Sequence, residues 1–271
     1  MSKVNVKLSA AIITFNEEAN IKDCIDSLVD MVDEVIVVDS FSTDKTKEIC
    51  SKYSKVKFFE NPFHGHVQQK NYAIDICEGS WILSLDADER VTSELKKSIE
   101  DFFRSENNDQ YVGVKFPRLT YHIGKPIRHS GWYPNARYRL FKKGFAHWGG
   151  ENPHDKIILN GQGCMLKGDL IHYSFVDISD HVGTINTFSS IAAYMRFGKG
   201  RKFYIWRLLL KPTIKFIELY LIKRGFLDGM AGYIISVSSA YSTFLKEAKL
   251  YELDKLGVDA PSNLSKNYRK N

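Results

Sequence analysis

The sequence predicts an α/β protein: a mostly parallel, twisted sheet with helices on both faces, followed by a helical, basic and amphipathic C-terminal extension. Three observations predict it. Short apolar, β-branched runs alternate with amphipathic stretches through the first hundred residues. Polar clusters sit at the ends of successive runs. Charge is also unevenly spread: residues 199–271 hold 14 Lys and Arg against 6 Asp and Glu, whereas residues 1–198 hold 24 against 26.

The elements follow in order. Leu8-Ser-Ala-Ala-Ile-Ile-Thr14 reads as a buried strand, and Asn16-Glu-Glu18 opens a helix with Ile21, Cys24, Ile25 and Leu28 on one face. Glu34 to Asp39 is a second buried strand rich in β-branched residues. Ser42-Thr-Asp44 caps a helix through about Ser51. Val56 to Phe59 is a third strand, Gly65 to Cys77 a third helix, and Trp81 to Leu85 a fourth strand. Thr92-Ser-Glu-Leu95 starts another helix. Such a βαβαβαβ run implies a parallel sheet, whose ligands bind beyond the carboxyl ends of the strands. Thr14, Asp39 and the pair Asp86 and Asp88 all sit at such ends.

After Glu100 the rhythm changes to short strand-like stretches and loops rich in Gly, Pro, Tyr, Trp and His. From Ser179 onward the pattern is helical. Pro212 is expected at the first position of a helix that Lys223-Arg-Gly225 ends, with Gly225 as the terminating glycine. Tyr233, Val237, Ala240, Tyr241, Phe244, Ala248 and Tyr251 form one stripe of a further helix. The expected domains are therefore a catalytic one over 1–178, with a nucleotide half (1–100) and an acceptor half (101–178), and a helical extension over 179–271.

Composition bounds the class. At 271 residues, with 44% hydrophobic and 26% charged residues, the chain has globular values. Cys24, Cys50, Cys77 and Cys164 lack metal or disulfide spacing, which points to a reducing compartment. Met1 to Lys7 leads into a strand with no apolar signal segment, so a cytoplasmic location is expected. Neither a dinucleotide-type Gly-x-Gly-x-x-Gly nor a P-loop is present.

Asp86 and Asp88 carry the chemistry most directly. Positions two apart on an extended chain share a face, and Ala87 between them leaves room for a ligand. Two carboxylates there suit a hard divalent cation, Mg²⁺ or Mn²⁺, that completes its shell with substrate phosphates. The alternative is a solvated acidic turn leading into the next helix.

The chain resembles the family 2, inverting glycosyltransferases of the GT-A fold, and is most similar there to the lipopolysaccharide core β-1,4-glucosyltransferase group. The resemblance rests on Ala11 to Ile21, Val35 to Thr46, Gln69 to Ala73, Trp81 to Arg90, Gly131 to Pro134, Arg139-Leu-Phe141, His154-Asp155 and Lys167 to Tyr173, covering roughly residues 8–175. It implies a UDP-sugar donor and a glycolipid or saccharide acceptor. Thr14, Glu17 and Lys70 would border the nucleotide, Asp39 would accept from the uracil or ribose, and Asp86 would bond the ribose or a water of the metal. Asp88 would ligate the cation, with His172 beside the metal or phosphates. Asp155 is the expected general base, in a place where the family more often has Glu, and Glu151 is its neighbour and competitor. Arg139 would hold the diphosphate or orient the base. Trp132, Tyr133 and His154 are expected toward the acceptor, with core packing as the alternative role for the two aromatics.

Lys199 to Arg224 holds eight Lys and Arg with one acid, Glu218, interleaved with aromatic and aliphatic residues. One reading is a helix pair packed on the catalytic domain. The other is a segment lying on an anionic membrane surface, basic groups at the headgroups, which would make the protein peripheral on the cytoplasmic face of the inner membrane. No nucleic-acid reader motif accompanies the charge, so nucleic acid is not an expected partner. Two rival functions are a nucleotidyltransferase that makes the nucleotide sugar and a non-catalytic, membrane-peripheral binding protein. The acidic, glycine-free Thr14-Phe-Asn-Glu-Glu18 speaks against the first, and the complete set of Asp39, Asp86, Asp88 and Asp155 against the second.

Overall fold

A computed structural model describes residues 7–150, 155–175 and 177–257 of the chain. They divide into two compact units, one built from 7–119 and 135–172, the other from 120–134 and 173–257. The division falls at His172/Tyr173, and residues 120–134 cluster with the second unit, not with the acceptor half.

In chain order the elements are β1 (Leu8–Thr14), α1 (Ile21–Asp26), β2 (Glu34–Asp39), α2 (Thr46–Cys50), β3 (Val56–Glu60), α3 (His66–Asp75), β4 (Trp81–Asp86), β5 (Glu89–Val91) and α4 (Ser93–Arg104). After them come β6 (Gly113–Phe116), β7 (Arg118–His122), β8 (Lys125–Pro126), β9 (Arg137–Lys142), β10 (Ala146–Gly149), β11 (Lys156–Leu159), β12 (Gly163–Met165) and β13 (Leu170–Tyr173). The C-terminal helices are α5 (Ile178–Gly198), α6 (Ile205–Ile217) and α7 (Gly229–Lys255).

The first unit is the expected α/β architecture. Its seven-stranded sheet runs β12-β6-β9-β4-β1-β2-β3. The pairs β4–β1, β1–β2 and β2–β3 are parallel, and β9 is antiparallel to both β4 and β6. Alternation along the strands feeds two cores. Ala10, Ile12, Val35, Val37, Leu83 and Leu85 face α1 and α4, and Ala11, Ile36, Val38 and Ile82 face α3. Both faces being covered explains why these strands read as continuous apolar runs. Each fully buried Ile or Leu contributes about 1.5–3 kcal/mol of burial.

α1 starts later than the sequence suggests, at Ile21, and Asn16-Glu-Glu18 forms a turn. The amides that would open the helix are taken by the next loop. Asn16 donates to Ser42 Oγ, Glu17 to Thr46 Oγ1 and Glu18 to Asp44 Oδ2. Asn16 itself has φ 55° and accepts from the Thr43 amide. Ser42 likewise spends its side chain on Asn16 and Asp39, leaving Asp44 to take the Thr46 amide at the head of α2. Thr92 accepts from Leu95 and caps α4 as expected.

In the second unit, β7 and β8 form a hairpin, and Ile127, Ala231 and Ile235 make a small core against Trp132. Two expectations are corrected here. Pro212 lies inside α6, not at its start, because the helix begins at Ile205. Arg224, not Gly225, takes the left-handed position after the helix and its terminal π turn, with φ 54°.

His122 Nε2 and His181 Nδ1 lie 3.0 Å apart, both rings buried. Burial first, then the neighbouring His181, pushes His122 down to about 4, and burial lowers His181 as well. An unfolded histidine titrates near 6.5. Between about pH 6.5 and 4 the unfolded chain therefore binds more protons than the folded one, and stability falls as pH falls through that window. Thermal unfolding midpoints should drop over this range, and the drop should be shallower in His122→Gln. Parallel pH profiles for the two proteins would contradict the assignment.

Candidate active site

Three strand ends and one helix build the site within the first unit. Thr14 at the end of β1 donates to Asp39 Oδ1 at the end of β2 (2.8 Å). Asp39 also accepts from the Ser42 amide (2.6 Å) and hydroxyl (2.5 Å). The Asp39 side chain thus closes the turn after β2 onto the backbone three residues on. That turn carries Phe41 outward, 52% exposed and at φ 61°. Glu17 accepts from Asn20 in the turn after β1 (2.8 Å).

The end of β4 holds the acidic turn. Arg90 clamps it, donating to the carbonyls of Ala87 (2.8 Å) and Glu89 (3.1 Å) and to Asn20 (3.3 Å). Glu89, fully buried, accepts from the Asp86 amide (3.0 Å). Asp86 receives Lys70 Nζ on Oδ1 (2.8 Å) and Arg139 on Oδ2 (2.9 Å). Burial alone would raise its carboxyl, but Lys70 and Arg139 outweigh that and hold it far below the usual carboxylate range. Asp86 is thus committed to cations of the protein. Asp88 Oδ2 lies 3.5 Å from His172 Nε2.

β9, antiparallel beside β4, supplies Arg139. The guanidinium is buried and bonds Glu89 (2.7 Å) as well as Asp86. Burial opposes its charge, and Glu89 and then Asp86 more than restore it. Three consecutive residues of α3 serve the site. Gln69 bonds Ser40 (3.1 Å), Lys70 holds Asp86 and also Asp155 (2.8 Å), and Asn71 exchanges two hydrogen bonds with the Trp148 backbone. Trp148 lies under both cations, 4.1 Å from Lys70 Nζ and 5.0 Å from the Arg139 guanidinium, with its indole N–H on Ser84 (3.0 Å). Each such contact is worth about 0.5–2 kcal/mol.

β13 brings His172 beside β5, with His172 opposite Glu89. Its entry depends on Gly168, at φ 92°, where a Cβ would stand 2.4 Å from the Leu95 amide. Lys70, Asp86, Arg139 and Asp155 are thus linked by contacts, Asp88 and His172 form a second pair in the same turn region, and Thr14 and Asp39 stand at adjacent strand ends. Glu151 and His154 lie outside the described residues. Trp132 and Tyr133 belong to the second unit. Trp132 packs among His122, Phe175 and His181, and Tyr133 lies 5.2 Å from the Arg128 guanidinium.

Glu89 and Trp148 carry no role in the sequence reading. Glu89 stands inside the matched Trp81 to Arg90 stretch and is visible there only as a third acid. Trp148 had no local signal, since its function is to underlie two cations from α3 and β9.

Among the described residues no group of three or more His, Cys, Asp or Glu side chains converges as a metal cluster. Asp88 with His172 offers one hard oxygen and one imidazole nitrogen. That donor set fits a cation that takes its other ligands from a diphosphate and water.

Comparison with known proteins shows the family. The family model described as Glycosyl transferase family 2 matches residues 9–158. An uncharacterized glycosyltransferase of Rickettsia typhi is 36% identical over 91% of this chain and 87% of its own length. The lipopolysaccharide core biosynthesis glycosyltransferase LpsC of Rhizobium meliloti is 29% identical over 90% of this chain and 92% of its own. Among solved structures, Staphylococcus aureus TarS 1–349 covers 94% of this chain and 93% of that one, with 14% identity and a TM-score of 0.43. With more than half its length matched by that model, this chain belongs to glycosyl transferase family 2 and is a glycosyltransferase.

Proposed function

We propose that the enzyme is a metal-dependent, inverting hexosyltransferase that moves a sugar, glucose from UDP-glucose being the first candidate, onto a glycolipid of the lipopolysaccharide core type. The observation that carries the reading is the Lys70–Asp86–Arg139 cluster at the end of β4, with Asp155 on Lys70 and the Asp88–His172 pair two residues further along the chain from Asp86. The relative named as a lipopolysaccharide core glycosyltransferase supports the acceptor class. A lipid-anchored acceptor would bring the enzyme to the cytoplasmic face of the inner membrane as a peripheral protein.

Asp88 and His172 would hold the divalent cation, which supplies Lewis-acid neutralisation of the departing diphosphate. Lys70 and Arg139 are already balanced by Asp86, Asp155 and Glu89, so the divalent cation would have to supply the charge that neutralises the leaving group, while the two side chains would act as hydrogen-bond donors. Asp39 and Thr14 would receive the base or ribose, and exposed Phe41 presents an aromatic face beside them. Asp155 would take the proton of the acceptor hydroxyl as its oxygen bonds the anomeric carbon and the carbon–phosphate oxygen bond breaks. Direct displacement inverts the anomeric centre.

A mass-spectrometric screen of common nucleotide sugars with Mg²⁺ or Mn²⁺ tests the donor. UDP release is the expected product, whereas pyrophosphate release from a nucleoside triphosphate would favour nucleotidyl transfer. Thermal-shift titration with UDP and Mn²⁺ should raise the unfolding midpoint, and no shift would favour a non-catalytic protein. Asp88→Ala should cut metal-stimulated UDP release by about a hundredfold or more, the scale of one lost electrostatic contact to the reacting group. Wild-type activity in that variant would remove Asp88 from the metal site.

A further inference from the structure

The helices of the second unit bury a small apolar core, yet they leave a wide apolar face outside and draw several charged groups inside. α6 has no buried residue. Its outward stripe is Trp206, Leu209, Leu210, Ile214 and Ile217, spaced as one helical face. Leu209 is 63% exposed and Ile214 60%, and Ile222 (72%) and Met230 (69%) continue the surface toward α7. Two of the three cations of α6, Lys211 and Lys215, turn the other way, and Arg207 lies over the Trp206 ring at 5.2 Å. Lys211 bonds the buried Glu247 of α7 (2.7 Å), which also takes Arg196 of α5 (3.3 Å), and Lys215 bonds Glu218 (2.9 Å). Lys249 of α7 reaches Asn186, Ser189 and Ser190 of α5.

The stripe of α7 noted in the sequence is exposed too: Tyr233 45%, Tyr241 44% and Phe244 41%. Ring contacts join it to α6 through Phe216–Tyr233 (6.0 Å) and to the segment before α6 through Phe203–Tyr251 (5.0 Å). An apolar surface of this extent in water signals an interaction site.

We propose that α6, the turn after it and the outward stripe of α7 form a seating face that lies in the plane of an anionic lipid leaflet. Four observations choose lipid. The face mixes aliphatics with Trp and Tyr, the composition of a membrane interface. Exposed cations flank it, Arg201 and Lys202 before α6 and Lys223 and Arg224 after it, which matches anionic headgroups. α6, at 13 residues, is about 20 Å long and cannot cross a hydrocarbon core of roughly 30 Å. Among the described residues no helix is long and apolar enough to cross a membrane. Apolar immersion therefore supplies the binding, and charge only assists. This refines the membrane reading of the sequence, with basic side chains at the headgroups and aromatics at the boundary, because Lys211 and Lys215 turn inward and leave the headgroup contacts to the flanking cations. The proposal rests on the glycolipid reading for its purpose.

The test is flotation of the full-length protein with vesicles of phosphatidylethanolamine and phosphatidylglycerol, and with phosphatidylcholine vesicles, at low and high salt. Binding to the anionic vesicles should survive high salt with a loss of only a few fold. The double substitution Leu209→Glu, Ile214→Glu touches side chains already exposed and should lower partitioning by about a hundredfold. Arg201→Glu with Lys202→Glu should weaken binding at low salt only. Failure of the wild-type chain to float with either vesicle overturns the proposal. So does a lipid-free, concentration-dependent dimer that the double substitution dissolves, since a second copy would then cover the face. UDP release is measured on the same samples. Activity without flotation removes the seating face and leaves transfer standing, and flotation without activity does the reverse.

Discussion

Asp155→Asn should lower turnover by about 10²- to 10⁴-fold, the range for loss of a general base, while UDP affinity stays within a few fold. Asparagine keeps the shape of the side chain but accepts no proton. Lys70, which Asp155 holds at 2.8 Å, retains Asp86 as a partner, so the site should stay assembled. The measurement pairs the rate of UDP release with a calorimetric UDP titration. Loss of both would mean that Asp155 organises the donor site through Lys70. Loss of neither would pass the role of base to Glu151.

Glu89→Ala should produce the largest change in stability of any single substitution at the site. Glu89 is fully buried, balances Arg139 at 2.7 Å and takes the Asp86 amide, and Arg118 lies 3.7 Å away. Removing it leaves a buried guanidinium short of its main counter-charge, which costs about 3–5 kcal/mol. Denaturant unfolding checks this, and Glu89→Gln, which keeps the shape and part of the hydrogen bonding, should lose less. An alanine variant within about 1 kcal/mol of wild type would show that Asp86 alone neutralises Arg139.

The sheet was legible because β1, β2 and β4 are covered on both faces, and such strands announce themselves as apolar runs bounded by polar ends. Helix starts were less legible. Asn16 to Glu18 look like a helix head, but their amides are claimed by Ser42, Asp44 and Thr46, some 26 residues away. A lone acid pair pointed to Asp86 and Asp88, whereas their difference in partners emerged only when α3 and β9 brought Lys70 and Arg139 to one of them. Lys70 itself entered through family resemblance, because a helix lysine has no local mark of burial. In α6 the composition gave charge and apolar spacing correctly but could not say which face turns outward. The two inward lysines of α6 are held by separate carboxylates, Lys211 by the buried Glu247 of α7 and Lys215 by Glu218.

The place of β9 bears on how the chain is made. β4 is complete at Asp86, but its outer edge is covered only by β9, whose last residue is Lys142. At ~5–20 residues per second of synthesis, that edge and the apolar face beside it stand open on the nascent chain for roughly 3–11 s. An uncovered strand edge is a template for pairing with other chains. Truncated or stalled products ending before Arg137 should therefore aggregate, and holding chaperones should engage this protein chiefly while that interval lasts.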